Sequence, residues 1–176
     1  MDELNYSALD IAVFVSSMDL PCREESRLIE RIWTGEKDLL STRYNNNLRQ
    51  FILDVLYWLN YFYEKPVLDR EFPAVQKDLS RLEHSFQVGE YFSNFSDLDL
   101  FFKAMRIRIL YCGEKYVRIK LRTLLARYGY KRRTPQLMEH IEHSMQFFHL
   151  EAALRGGVPC NIRDIDLDDM LTFRVI

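Results

Sequence analysis

The chain has 176 residues, 48% of them hydrophobic and 28% charged, with 6 glycines and 5 prolines. That balance excludes collagen-like, low-complexity and wholly disordered chains, and suits one compact domain or two small ones. The net charge of −2 hides a block of eleven bases and one acid at residues 103–133, between flanks that carry net −8 and −4.

Residues 1–92 read as an acidic helical domain. Residues 6–18 are apolar at Leu9, Ile11, Ala12, Val13 and Val15, which suits a helix or a buried strand. Asp19-Leu-Pro-Cys is a break, with Pro21 placed for the first turn of a helix over about 22–34 that Gly35 ends. This helix sets Leu28, Ile29, Ile32 and Trp33 on one side. The strongest periodicity follows at 42–63. Leu48, Ile52, Val55, Leu59 and Phe62 form a stripe at spacings of four and three, and Pro66 closes the helix. Phe51, Leu56 and Trp58 fall off that stripe, so the helix is apolar around much of its girth. It serves either as a central core helix or as the seam of a homodimer. A further amphipathic helix is predicted at 74–87, and VGEYFSNFS at 88–96 marks the domain boundary.

From residue 96 the pattern changes. Ser96 can cap a helix with Asp97 and Asp99 in its first turn and Leu98, Phe102, Met105 and Ile109 on its inner face. MRIRIL and YVRIKL both alternate, so a hairpin of 105–110 with 116–121 competes with a helix followed by one short strand, the preferred reading. A compact helix at 121–128 turns Leu121, Leu124, Leu125 and Tyr128 inward and stops at Gly129. After the basic turn Tyr130-Lys-Arg-Arg, Thr134-Pro135 starts a helix over 135–148 that buries Leu137, Met138, Ile141, Met145 and Phe148. Strand patterns at 150–155 and 171–175 flank a Gly156-Gly157-Val-Pro159 turn and an acidic loop holding Asp164, Asp166, Asp168 and Asp169.

This order of elements, and above all RIKLRTLLARYGYKRRTPQLMEHI at 118–141, resembles the strand–helix–turn–helix of bacterial winged helix-turn-helix domains. The resemblance covers residues 96–176 and leaves the N-terminal half unplaced. It implies a winged-helix-like domain at 96–176, and with the helical N-terminal domain read at 1–92 the expected fold is mainly α with a small β-hairpin. It also implies that helix 135–148 lies in the major groove of duplex DNA, with Gln136, His140 and His143 facing base edges. Arg118, Lys120, Arg122, Arg127, Lys131, Arg132 and Arg133 would then neutralise phosphates. Glu139 and Glu142 beside the reading face, and an aspartate-rich loop in place of a basic wing, point the other way. They favour a rival reading, a protein-interaction or adaptor module whose basic block meets an acidic partner surface. A phage or mobile-element protein that occupies a host nucleic-acid site is one form of that rival.

Other chemistries find little support. His140-x-x-His143 lacks the third and fourth ligands that zinc needs, so no metal or cofactor is expected. No phosphate-cradling glycine loop, nucleophile elbow or complete calcium loop occurs, and the expected function is non-enzymatic. Cys22, Cys112 and Cys160 are odd in number and far apart, against a disulfide scaffold. The acidic start and the interruption of 51–63 by Asp54 and Asn60 argue against a secretory leader and a membrane span, which suits a cytoplasmic protein.

Overall fold

The computed structural model describes residues 4–18, 20–71 and 96–176, and the chain divides into two units, residues 1–94 and 95–176. It is mainly helical with one small antiparallel sheet. The predicted helix at 74–87 and most of the boundary segment lie outside the described residues.

In the first unit, α1 (Ala8–Ser16) is a helix, settling the ambiguity of its apolar run. Ser7 and Asp10 close a reciprocal capping box: Asp10 N–H donates to Ser7 Oγ at 3.1 Å and Ser7 N–H donates to Asp10 Oδ2 at 2.8 Å. Pro21 stands just outside α2 (Cys22–Gly35), which includes Gly35 and buries Leu28, Ile29 and Ile32. Two single turns of 3₁₀ helix, Lys37–Leu39 and Thr42–Tyr44, precede α3 (Leu48–Glu71). Helix α3 starts six residues after the predicted bound of 42, at Leu48, the first residue of the apolar stripe. Asn46 in the left-handed region (φ 57°) breaks the run, and Asn47 Oδ1 accepts from Gln50 N–H at 3.2 Å as the true cap. Helix α3 also runs through Pro66, which was expected to close it.

Helices α1 and α2 both pack on α3. Val55 and Leu59 are buried against them, as are Phe51 and Tyr61. Phe51 was placed off the stripe, yet it precedes Val55 by one helical turn and shares its face. Leu48 and Ile52 are half-buried and Phe62 is exposed. The centre of the supposed dimer seam is thus core of its own unit, and Val55 and Leu59 offer no surface to a second chain.

The second unit runs α4 (Ser96–Tyr111), β1 (Val117–Lys120), α5 (Leu121–Arg127), α6 (Pro135–Phe147), β2 (Leu150–Ala153) and β3 (Met170–Val175). MRIRIL is helical, and the hairpin alternative at 105–121 is excluded. The sheet order is β1-β3-β2, both pairs antiparallel, with Ile119 opposite Leu171 and Ala152 opposite Phe173. Phe102, Phe148 and Phe173 are fully buried, and the rings of Phe102 and Phe173 meet edge to face at 6.0 Å. Ile107, not Ile109, joins Leu98, Phe102 and Met105 in the core.

Helix α5 ends in a left-handed reversal that only glycine makes without strain. Gly129 (φ 79°) donates to Ala126 O at 3.1 Å and Tyr130 N–H reaches back to Leu125 O at 2.9 Å. Thr134 Oγ1 then accepts from Leu137 N–H at 3.2 Å and caps α6, with Pro135 in the first turn. These two local devices set where the connection between α5 and α6 begins and ends.

Candidate polyanion-binding surface

The basic block divides into charges the fold consumes and charges it leaves outside. Arg106 donates to Phe148 O at 2.7 Å, at the carbonyl end of α6 where the helix dipole favours a cation. Lys103 is buried, and Arg108 pairs with Glu114, the one acid inside the block. Arg122 makes a two-pronged contact with the acidic loop, Nε to Asp168 Oδ1 at 2.9 Å and a terminal nitrogen to Oδ2 at 2.8 Å. This hydrogen-bonded pairing holds the Asp168 carboxyl below the usual carboxylate range and raises the Arg122 guanidinium further above neutrality. Arg133 turns under the same loop and donates to the carbonyls of Arg163 at 3.2 Å and Ile165 at 2.6 Å.

His140 is the largest departure from its expected role. Its Nε2 lies 2.5 Å from Asp99 Oδ1, and the fully buried Ser144 donates to the same oxygen at 3.4 Å. Asp99, expected in the first turn of its helix and found there, is also a buried link that ties α4 to α6 through two groups one turn apart. His140 Nε2 is thereby committed to Asp99, and its ring is only partly exposed. Glu142, read as a repulsive charge on the reading face, is bound by Arg163 through contacts of 2.8 and 2.6 Å.

The remaining predicted residues are exposed. Arg118 and Lys120 alternate with buried Ile119 on the outer side of β1, and the Arg118 guanidinium rests over the Tyr116 ring at 4.6 Å. Lys120 stands close enough to Asp168 to help hold its carboxyl low. Lys131 and Arg132 flank the start of α6, and among the described residues neither meets a carboxylate. Gln136 and His143 are exposed on α6 and share a row with Glu139 and Gln146. Arg127 separates from the set. It lines a groove of about 310 Å³ between α4 and α5 with Leu100, Phe101 and Tyr128, on another side of α5 from Arg122.

The structure brings Arg122, Lys131 and Arg132 together around a different groove of about 440 Å³. Its floor is Leu125, Ala126 and Gly129, with Tyr130 beside them, and Leu167 of the acidic loop forms the far wall. The loop is held there by backbone as well as charge, since Arg122 N–H donates to Leu167 O at 2.7 Å and Leu121 N–H to Asp169 O at 3.3 Å. Sequence reasoning named the cations and missed the floor. Leu167 sits 45 residues beyond Arg122, and no local periodicity signals that the two meet.

Among the described residues, no three His, Cys, Asp or Glu side chains converge on a point that could hold a metal ion, and none of the three cysteines is in a disulfide. Burial, with Asp169 nearby, raises the Cys160 thiol above its ordinary value, opposite to what a reactive thiolate needs. None of the described helices is long and apolar enough to cross a membrane. No protein-family model matches the chain, and no curated protein or solved structure matches it either.

Proposed function

We propose that residues 96–176 are a winged helix-turn-helix module that binds duplex nucleic acid without catalysing a reaction. Support comes from the order helix–strand–helix–helix–strand–strand with the first strand paired to the last, the arrangement that the sequence resemblance implies. The observation that carries the reading is the pair Lys131 and Arg132, solvent-exposed and unengaged, at the N-terminal end of α6. There the helix dipole favours a phosphate. Arg118 and Lys120 extend the positive surface along β1. Gln136, Glu139 and His143 would face the bases. Glutamine suits adenine, and glutamate accepts from the amino group of cytosine, so Glu139 becomes a base-selecting residue instead of a defect. His140 and Arg133 act within the fold. A regulator of the nucleic acid it occupies is the simplest role for such a module.

The test is fluorescence anisotropy of the full chain on a random 30-base-pair duplex. Lys131→Glu with Arg132→Glu abolishes binding while circular dichroism and melting stay as in the wild type. Undiminished affinity in that double variant refutes the assignment of the turn.

A further inference from the structure

A phosphate backbone needs the cations of this surface and gains nothing from its apolar floor. We infer that the groove between α5 and the acidic loop receives a second class of ligand: an acidic segment of a partner protein that carries an apolar side chain among its carboxylates. This goes beyond duplex binding and does not depend on it. Exposed Ala126 and half-buried Leu167 leave apolar surface open to solvent over the buried Leu125, with Arg122, Lys131 and Arg132 around it. Water gains nothing from such a surface, whereas an apolar side chain placed on it is removed from water.

The chain displays the mode of binding in its own loop. Leu167 of that loop lines the groove, and its carbonyl accepts from Arg122 N–H. The next residue, Asp168, fills the Arg122 fork with both carboxylate oxygens. An apolar residue followed by an acid therefore fits this surface in cis, but the pair satisfies only one of its three cations. Lys131 and Arg132 line the same groove, and among the described residues neither meets a carboxylate. A second segment of the same chemistry completes the groove, its apolar side chain beside Leu167 and its carboxylates on Lys131 and Arg132. The volume of about 440 Å³ lies within the range of small-ligand and peptide pockets. A partner segment commits its charge to the same lysine and arginine as a phosphate backbone, so the two ligands exclude each other.

The experiment uses the full chain and two fluorescein-labelled hexapeptides of equal charge, Asp-Asp-Leu-Phe-Asp-Asp and Asp-Asp-Ser-Ser-Asp-Asp. The apolar peptide binds at least tenfold more tightly. Ala126→Gln, an exposed helical position on the floor, removes that preference and leaves duplex affinity and melting unchanged. Lys131→Ala with Arg132→Ala weakens both peptides and the duplex alike. Equal affinity for the two peptides, or full selectivity retained in Ala126→Gln, overturns the inference. Duplex binding without peptide selectivity overturns it and leaves the duplex reading standing, while selective peptide binding without duplex binding does the reverse. If the protein alone sediments as a dimer that Ala126→Gln dissociates, a second copy holds the groove and the inference of a foreign partner fails.

Discussion

Replacing Asp168 with alanine removes the carboxylate that occupies Arg122 and nothing else that the core depends on, since both side chains are largely exposed. Exposed pairs of this kind add little to stability, so the melting temperature should stay where it was. Binding should change in a countable way. In the wild type, Arg118, Lys120, Lys131 and Arg132 are the cations on the proposed duplex face not held by a carboxylate. Four phosphate contacts at about 0.9 each give a slope of log K against log salt of about −3.6, or roughly a 150-fold loss between about 50 and about 200 mM salt. Freeing Arg122 adds a fifth contact, which steepens the slope to about −4.5 and the loss to roughly 500-fold over the same range. Anisotropy titrations of one duplex at five salt concentrations resolve that difference. Arg122→Ala alone leaves the wild-type slope, and Arg122→Ala in the Asp168→Ala background restores it. A wild-type slope already near −4.5, unmoved by Asp168→Ala, would show that Arg122 reaches phosphate despite its partner. The division of the basic block into engaged and available charges would then be wrong.

Other consequences follow from the same geometry. Asp99→Ala strips the buried Ser144 hydroxyl and His140 of their shared acceptor and should cost about 2–3 kcal/mol. That lowers the melting temperature of the second unit by roughly 10–20 °C; strict additivity of Asp99→Ala with His140→Ala in a double-mutant cycle would deny the link. Gly129→Ala puts a Cβ at φ 79°, and although space is open there the strain should cost about 1–2 kcal/mol, read as a lower melting temperature. In the first unit, burial and the hydrogen bond to Asp54 push the Tyr44 hydroxyl up to about 12. A folded-state value above the unfolded one means that this contribution is fully present below about pH 10 and is lost as pH rises through about 12. Wild-type stability should therefore fall over that window, and Tyr44→Phe should lose this component of the fall; melts from pH 9 to 12 check it.

Local signals carried much of the second unit. Thr134-Pro135 announced α6, Gly129 announced the end of α5, and the spacing of Leu137, Met138 and Ile141 named the buried face. These are short-range properties: a cap, a left-handed turn and a 3.6-residue period each act within a few residues of themselves. The predicted bound at 42 was too early for α3, because a 3₁₀ turn and a left-handed asparagine precede Leu48, where the apolar stripe itself begins. Apolar spacing also put Phe62 on one stripe with Val55 and Leu59, of which only the latter two are buried, because a stripe records hydrophobicity and not how far along the helix its neighbours reach. Periodicity finds a face and cannot say where packing ends.

The candidate site followed a different rule. Composition alone established that residues 103–133 carry a concentrated positive charge and that an acidic loop comes later in the chain. Only the tertiary structure decided that Asp168 and Arg122 meet, that Arg133 clamps the loop, that His140 turns inward to Asp99, and that Lys131 and Arg132 are left outside. Charge is a property of each residue by itself and can be counted from the sequence. Whether a charge is available depends on partners 30 to 46 residues away, brought to a common surface by the packing of α4, α6 and the sheet. Such distances leave no periodic trace, so the sequence determined which residues could bind an anion and the fold determined which of them still can.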